Sequence, residues 1–343
     1  MLSGDSEHIL REHNIGLDMR LGPAMRSCHN LYFDLALELD AYSGGLDASI
    51  GEFSFVPHYC FKKGVVDIDL GVRLSKLIRD DEGTRGQLVY PDVTMKFGIV
   101  ENALSLYLRA GGGNRINTYS SLLEENHHLN MTFGRYCPLL DATVERVSLI
   151  LGFEGRITSK FGYNIRGGYA NFKNAMLAAV APTFMETVDT FDSVGLLPAV
   201  GYAPYQKWFV ALDWNLKSER VSLDGGLEYV GAWGDAFAPE AASGVFRPAA
   251  LTGDVAFEYN FKRRIFAGVD CSFSTSREAY VPVFAEARVL PAYADLGISA
   301  EYAVGSRFSV WLRGGNLLNM NIQRSPLYAE KGINFTAGIC LNL

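Results

Sequence analysis

Apolar and polar residues alternate with a period of two along most of the chain. Between residues 31 and 40, leucine or phenylalanine fills every odd position, whereas the even positions include Asp34, Glu38 and Asp40. The same alternation recurs over residues 66–75, 104–110 and 295–302. Successive side chains of a β-strand point to opposite faces, so this period predicts strands with one apolar and one polar face.

Segments with this period number about fifteen, which predicts an all-β fold. They lie near residues 14–21, 29–41, 51–61, 65–79, 85–100, 103–119, 144–159, 161–175, 205–217, 219–231, 249–261, 264–276, 293–304, 306–317 and 331–343. The composition agrees, because 35 glycines, 17 tyrosines and 21 phenylalanines stand against 12 prolines. Such a mixture favours strands joined by tight turns.

The connections between these segments alternate in length. Short ones occur near residues 62–64, 101–102, 159–160, 217–219, 262–263 and 305–306. Long ones occur at residues 41–51, 119–144, 175–205, 231–249, 276–293 and 317–331, with 79–85 the shortest of this set. The pattern is typical of an up-and-down antiparallel transmembrane β-barrel, here of about 14–16 strands, with short periplasmic turns and long extracellular loops.

Soluble β folds share the same period but fit this chain less well than a membrane barrel does. A sandwich or a lipocalin-like barrel buries its apolar face inside, but a ring of this many strands has a lumen too wide to be filled by side chains. A propeller fits the strand number, yet no blade signature recurs at a period of about 40–50 residues. A wide ring with a wet interior requires that the apolar face point outward, towards lipid.

Aromatic residues are frequent near the short turns, where a barrel has an interfacial girdle. They are Tyr59, Phe61, Phe161, Tyr163, Tyr259, Phe261, Tyr302 and Phe308. The general enrichment of aromatic residues in strands explains them equally well.

Charge and cysteine content exclude several functional classes. The net charge of −7, from 31 basic and 38 acidic residues, gives no positive field for a nucleic-acid backbone. The 5 cysteines are scattered without a C-x-x-C or Cys/His group, so neither a zinc site nor a redox pair is predicted. The sequence contains no run of about 18 apolar residues, so a membrane-spanning helix is not predicted.

The polar face of the predicted barrel supplies the candidate lumen residues. They are Asp34, Glu38, Asp67, Asp69, Arg73, Arg109, Glu154, Arg156, Arg166, Asp254, Glu258, Asp295, Glu301, Arg307 and Arg313. Acidic groups outnumber basic ones on this face, which in an open channel favours cations. The alternative, which we favour, is a lattice of cross-strand ion pairs that stiffens the wall.

Chemistry-bearing groups are sparse in the sequence. Glu124, His127 and His128 offer metal ligands on one loop, but adjacent side chains of an extended segment point to opposite sides. Ser120 and Ser121 lie nearby without a G-x-S-x-G turn, and Gly111–Gly113 predict a bend or a close backbone approach rather than a phosphate loop. We therefore predict no catalytic residues, no metal site and no cofactor, and the ligand-binding residues remain unknown.

Aromatic residues of the long connections allow two interpretations. They are Tyr202, Tyr205, Trp233, Phe237, Phe246 and Tyr280. They are able to stack on a ligand, but packing against one another, the commoner arrangement in ordered loops, is favoured.

Several segments resemble TonB-dependent-receptor-like outer-membrane barrels. These are residues 111–126, residues 161–169 followed by 172–174, and the ending Asn316-Leu317-Leu318-Asn319 with Tyr328 and Gly332–Phe335. The resemblance implies an outer-membrane barrel that takes part in solute binding or uptake as a receptor or transporter, and no enzyme activity. It also implies lipid, the barrel-assembly machinery and, if a plug lies upstream, TonB as partners. The competing expectation is a structural or partner-binding barrel that transports nothing.

The sequence departs from that family in three respects. The final strand ends in Leu343 rather than an aromatic residue, and neither a plug domain nor a TonB-contacting segment precedes residue 14. An odd number of strands also differs from the even number of bacterial single-chain barrels. Since no signal peptide is recognisable either, we expect residues 1–343 to form one barrel domain that is the carboxyl-terminal portion of a longer chain.

Overall fold

Fifteen strands form one sheet in the computed structural model, which describes residues 11–23, 28–44, 48–79, 83–100, 103–126, 128–129, 140–184, 194–281, 287–305 and 307–341. They are β1 (Arg11–Leu21), β2 (His29–Ser43), β3 (Ala48–Lys63), β4 (Val66–Arg79), β5 (Val89–Val100), β6 (Leu104–Ile116), β7 (Ala142–Arg156), β8 (Phe161–Phe184), β9 (Val194–Lys217), β10 (Val221–Trp233), β11 (Leu251–Phe261), β12 (Ile265–Ser274), β15 (Tyr293–Ala303), β16 (Phe308–Gly315) and β17 (Asn334–Leu341). A separate hairpin, β13 (Arg277–Tyr280) and β14 (Ala287–Leu290), lies in one long connection.

Each strand of the large sheet pairs antiparallel with its neighbours in sequence, and β12 pairs with β15 across the small hairpin. This order confirms the predicted all-β, up-and-down topology, and every predicted strand is present. Among the described residues, β1 pairs only with β2 and β17 only with β16, so these two strands are the edges of the sheet.

The apolar residues of the alternating pattern lie on one exposed face of the sheet. On β7, Leu149, Leu151 and Phe153 are 46%, 50% and 42% exposed. Other strands repeat this, for example with Leu31 and Phe33 on β2. We call this side the apolar face. The leucines and phenylalanines of the alternating strands therefore look outward and do not pack together in a dry centre.

The opposite side, which we call the polar face, is concave. Side chains two strands apart meet there: Lys96 on β5 forms an ion pair with Glu154 on β7, and Tyr32 on β2 donates a hydrogen bond to Asp69 on β4 at 2.7 Å. Such contacts across an intervening strand require side chains that converge, as they do on the inside of a curved sheet. The polar groups therefore face the enclosed side.

All the aromatic residues noted near the short turns lie on the apolar face, as the strand registers show. At the opposite ends of β8–β10 a second group lies on the same face, in which the Tyr169 and Trp233 rings are 6.2 Å apart and those of Trp208 and Tyr229 are 5.2 Å apart. Aromatic side chains thus occupy both ends of this face, a distribution that a girdle explains better than general strand enrichment.

The predicted long loop at residues 175–205 is wrong in part, because the β8–β9 hairpin continues through most of it. Pairing shifts between Phe172 and Ala175 and then runs from Ala175↔Ala203 to Phe184↔Val194. Residues 175–181 are apolar without alternation, which hid the strand from a period-two pattern. Such continuous runs form strands that are covered on both faces, and Ala179 and Val180 are indeed buried.

The connection after β6 contains a short helix, α1 (Tyr119–Glu125), which the sequence pattern did not predict. Thr118 caps it, because its hydroxyl oxygen accepts a hydrogen bond from the Ser121 amide at 3.1 Å. No helix in the described part of the chain is long and apolar enough to cross a membrane.

The long connections pack together into one layer, which we call the cap. It consists of α1 and residues 128–129, the β8–β9 extension, residues 235–246, the β13–β14 hairpin and residues 316–333. Leu122 and Leu129 pack against Val200, and Phe246 packs against Val180. These contacts give the cap a small hydrophobic core of its own.

The cap also joins strands that lie far apart in the sheet. The ring of His128, beyond α1, stacks in parallel on that of Tyr328, before β17, at a centroid distance of 4.0 Å. Arg277 on β13 donates to the carbonyl of Arg324 at 2.9 Å. The loops therefore reach across the mouth of the curved sheet.

Two of the loop aromatics, Tyr205 and Phe237, pack on each other, which is the arrangement favoured above. Phe172 and Tyr205 stack at 4.9 Å, and Phe237 meets the edge of Tyr205. Phe246 is buried in the cap, whereas Trp233 is exposed on the apolar face.

Asn316, the first asparagine of the N-L-L-N segment, organises the last cap loop. Its backbone is left-handed, with φ of 47°, and the side chain is buried. The amide donates to the carbonyls of Met320 (2.9 Å) and Lys331 (3.1 Å) and accepts from the Met320 N–H at 3.0 Å. Asparagine tolerates this backbone conformation and satisfies all three groups.

We expect Asn316→Ala to loosen residues 316–333 by about 2 kcal/mol, because buried backbone groups lose their partners. Hydrogen exchange at the Met320 amide measures this directly. Asn319→Ala is the matched control: its φ is 51°, but its side chain accepts only a 3.4 Å hydrogen bond from the Ile333 amide. Equal protection losses in the two variants would contradict the role of the Asn316 side chain.

Candidate functional site

Ion pairs between neighbouring strands cover much of the polar face. Arg20 on β1 pairs with Asp34 on β2 at 2.6 Å, and Arg73 on β4 pairs with Asp92 on β5 at 2.9 Å. Arg166 on β8 pairs with Asp213 on β9. Each pair joins adjacent strands, so together they tie the wall laterally.

His58 is the centre of the densest polar cluster. Its Nδ1 lies 2.8 Å from an Asp69 carboxylate oxygen, and its Nε2 lies 3.6 Å from Asp34. The Tyr32 ring stacks on the imidazole at 4.4 Å. In the described part of the chain, no three or more histidine, cysteine, aspartate or glutamate side chains are grouped closely enough to hold a metal ion. The cluster therefore links β2, β3 and β4 through hydrogen bonds.

The structure places the sequence-predicted lumen residues as follows. Those in ion pairs are Asp34, Asp67, Asp69, Arg73, Glu154, Arg166, Asp295 and, at 4.0 Å from Asp270, Arg313. On the same face lie Arg109, which is over the Tyr107 ring, Glu38, Arg156, Asp254, Glu258 and Glu301. Arg307 lies instead in the turn before β16.

Most of these charged residues fit the interpretation of the polar face as a lattice of cross-strand ion pairs. Of the three residues in the metal hypothesis, Glu124 is exposed, the His128 ring stacks on Tyr328, and His127 lies outside the described residues. Ser120 donates its hydroxyl hydrogen bond to Glu12 at 3.0 Å.

Two cavities lie along the polar face. The lower one, of about 850 Å³, lies towards the short turns and is lined mainly by polar groups. Its charged lining residues are Lys96, Glu154, Arg156, Asp213, Asp224 and Asp254. Acidic groups are in excess there, so the lower cavity has a negative potential.

The upper cavity, of about 490 Å³, lies at the long-loop end and combines two guanidinium groups with an aromatic pair. Arg73 and Arg115 line it together with Glu145, and Phe172 and Tyr205 contribute their stacked rings. Guanidinium groups bind anions through charged hydrogen bonds, and the half-buried Phe172 ring adds apolar contact area for the ring of a ligand. This arrangement is able to hold an anionic ligand that carries rings.

A β-bulge in β7 brings Glu145 to the upper cavity beside Arg115, because two residues of β7 oppose Gly112 of β6. The pairing of β6 with β7 shifts between Gly111 and Gly113, which confirms the bend predicted from these glycines. A Cβ atom at Gly112 would lie 2.9 Å from the Tyr90 ring and 3.0 Å from the Glu145 carbonyl oxygen. The bend was predicted from the glycines, but the β7 residue that the bulge turns towards the cavity was not, because the register after a bulge is not readable from a period.

A buried ion pair at the end of β4 was not foreseen. Arg79 pairs with Asp141, and their side chains are only 7% and 16% exposed. Asp141 also accepts hydrogen bonds from the Thr84 hydroxyl at 2.6 Å and from the Asn174 amide at 3.1 Å. This cluster, which we call the Asp141 hub, fixes β4, β7 and β8 beside the cap.

A second loop anchor involves Arg324 in the last cap loop. Its guanidinium donates to Asp295 at 3.0 Å and to Glu330 at 2.8 Å. Burial opposes its charge, but these hydrogen bonds outweigh that effect and raise the pKa of Arg324. The anchor holds the loop to the polar face at the start of β15.

Comparison of this chain with known proteins finds similarity in fold only. No protein-family model matches the chain, and no curated protein matches it. Among solved structures, the siderophore receptor PirA from Acinetobacter baumannii matches with a TM-score of 0.65 at 11% identity, over 97% of this chain and 55% of that one. The FrpB iron transporter from Neisseria meningitidis (F3-3 variant) matches with a TM-score of 0.66 at 11% identity, over 96% and 55%.

The ferric-catecholate import receptor Fiu from E. coli K12 matches with a TM-score of 0.67 at 8% identity, over 97% of this chain and 55% of that one. The chain thus spans about 55% of the length of these structures. The predicted resemblance to TonB-dependent-receptor-like barrels is confirmed for the fold, and the matched proteins are receptors and transporters rather than enzymes.

Proposed function

We propose that residues 1–343 form a non-enzymatic outer-membrane barrel domain of the receptor and transporter type, which takes part in binding or uptake of a solute. The observation that carries this proposal is the separation of the two faces. Apolar side chains around the sheet are exposed, whereas the ion pairs lie on the concave side.

The exposed apolar face favours lipid as its surroundings. Soluble monomers rarely expose apolar patches above a few hundred Å², and this face extends over every strand of the sheet. The aromatic groups at both of its ends are those that barrels place at the two membrane interfaces. We therefore propose lipid and the barrel-assembly machinery as partners. TonB is a third proposed partner if a plug accompanies the barrel. Nucleic acid is not among the proposed partners.

The upper cavity supports a ligand class. The matched structures are described as receptors or transporters for siderophores, iron and ferric catecholates. Catecholate complexes of iron are anionic and carry rings, which suits the guanidinium groups of Arg73 and Arg115 and the ring pair of Phe172 and Tyr205. We take a ferric catecholate as the solute.

Replacing Arg115 by alanine tests this assignment. With ferric enterobactin as the probe, we expect affinity to fall roughly tenfold to a hundredfold, since a hydrogen bond to a charged group contributes about 1.5–3 kcal/mol and about 1.4 kcal/mol is tenfold. Fluorescence titration of the purified protein measures it. Arg109→Ala, also on β6 but on the Tyr107 ring outside the cavity, is the control and should leave affinity unchanged.

A protein that enters outer membranes but shows no affinity for the probe would contradict uptake of this solute class. That result would favour the alternative of a structural or partner-binding barrel.

A further inference from the structure

One carboxylate and two aromatic rings form a row across three neighbouring strands in the upper cavity. Glu145 on β7 is the register partner of Phe172 on β8, which is in turn the register partner of Tyr205 on β9. All three residues line the upper cavity, as expected of register partners, whose side chains lie side by side on one face of a sheet. We call this set the Glu145 row.

The Glu145 carboxylate has no ion-pair partner among the described residues. It is half-buried, and Ser148 on the same strand forms a hydrogen bond with it. Arg115 and Lys207 are near enough for their charges to act on Glu145, but neither forms a salt bridge with it. Lys207 lies instead over the Phe209 ring, 5.6 Å from its centroid. The carboxylate is therefore available to a positively charged group that enters the cavity.

The hydroxyl of Tyr205 is a second hydrogen-bond acceptor near this carboxylate. The Tyr205 side chain is only 7% exposed, and its hydroxyl forms no hydrogen bond within the described part of the chain. The charge of Glu145 acts on this hydroxyl, so the two groups lie near each other. Buried tyrosine hydroxyls usually find a hydrogen-bond partner. A ligand group that donates hydrogen bonds to both oxygens would supply that partner.

A protonated amine fits the Glu145 row better than a neutral or an anionic group does. Its N–H groups donate to the carboxylate and to the hydroxyl oxygen, and its charge is attracted by the face of the half-buried Phe172 ring. Arg115 lines the same cavity and offers the anionic part of a ligand a separate partner. The cavity therefore presents two opposite charges, not paired with each other, to a single ligand.

We propose that the Glu145 row binds a protonated amine of the ligand, so that the solute is a ferric catecholate built on a polyamine. The proposal rests on the proposed function and deepens it, because it adds a cationic group to the anionic ligand class assigned above. Arg73 and Arg115 then hold the catecholate oxygens, while Glu145 and Tyr205 hold the amine.

Two ferric complexes that differ in this one charge test the proposal. One ligand is spermidine acylated at both ends with dihydroxybenzoyl groups, which keeps its central amine, and in the other ligand this amine is acetylated. Isothermal titration calorimetry with the purified protein measures both affinities. We expect the wild type to bind the amine complex about tenfold more tightly, corresponding to about 1.4 kcal/mol, and Glu145→Gln to bind the two complexes equally. Tyr205→Phe, which keeps the ring stack, should reduce the preference about threefold.

Glu154→Gln is the matched control, because Glu154 also lies on the polar face of β7 but pairs with Lys96 in the lower cavity. It should keep the preference of the wild type. Since the readout is a ratio of two affinities, a variant that merely folds less completely does not mimic the expected result. A wild type without preference, or a Glu145→Gln variant that retains it, would overturn the amine site and leave the proposed function intact. A wild type that binds neither complex would overturn both.

Discussion

Leu151→Arg is expected to destabilise the folded protein in lipid bilayers by about 2–4 kcal/mol, the cost of a basic side chain at the middle of a lipid-facing wall. Leu151 is half exposed on the apolar face of β7. Its register partner on β8 is Gly167, which lies between Tyr163 and Tyr169 of the two aromatic groups. The substitution therefore places a guanidinium near the bilayer midplane, where no carboxylate of the polar face can reach it.

The adjacent position supplies the control for this prediction. Ile150 lies on the polar face of the same strand, where its register partner on β6 is Arg109. We expect Ile150→Arg to cost less than about 1 kcal/mol, because its head group stays in water. Urea unfolding of the protein in lipid vesicles, followed by tryptophan fluorescence, compares the two. If Ile150→Arg proved the more damaging substitution, the polar face would be a dry core and the membrane assignment would be wrong.

The wall was predictable because a single rule governs it. On β2, β4 and β7, one residue in two lies on the exposed apolar face and the next lies on the polar face, so the period-two signal is strong and local. The rule fails where the environment changes. Residues 175–181 are covered on both faces, and their uniform apolar run contained no information on where the strand ended.

The site was less predictable, because its geometry depends on contacts between distant segments. Tyr205 was singled out as an aromatic residue, but its stacking on Phe172 depends on the register of the β8–β9 hairpin. Glu145 reaches the upper cavity through a bulge in β7, and Asp141 lies 62 residues from Arg79. The ion pairs of register neighbours such as Arg20 and Asp34 were foreseeable as a lattice, but not as individual partners.

Asp141→Ala is expected to cost about 3–5 kcal/mol, the largest effect of any single substitution proposed for this chain. The Asp141 carboxylate balances the charge of the Arg79 guanidinium, which is only 7% exposed. Loss of the carboxylate leaves this buried positive charge uncompensated. The Thr84 hydroxyl and the Asn174 amide lose an acceptor at the same time. Equilibrium unfolding in urea measures the change, and Asp92→Ala, which breaks the half-exposed pair with Arg73, should cost no more than about 1 kcal/mol.

The double variant Arg79→Leu/Asp141→Leu separates charge from packing at the hub. If the cost of Asp141→Ala comes from the uncompensated charge, removing both charges should recover part of the lost stability, since apolar pairs of similar volume often replace buried ion pairs without loss. A double variant at least as unstable as Asp141→Ala would show instead that the hydrogen bonds to Thr84 and Asn174 carry the stability. In that case we expect the part of β8 around Asn174 to loosen, and with it Phe172, so that the aromatic side of the upper cavity would lose its ligand-binding geometry.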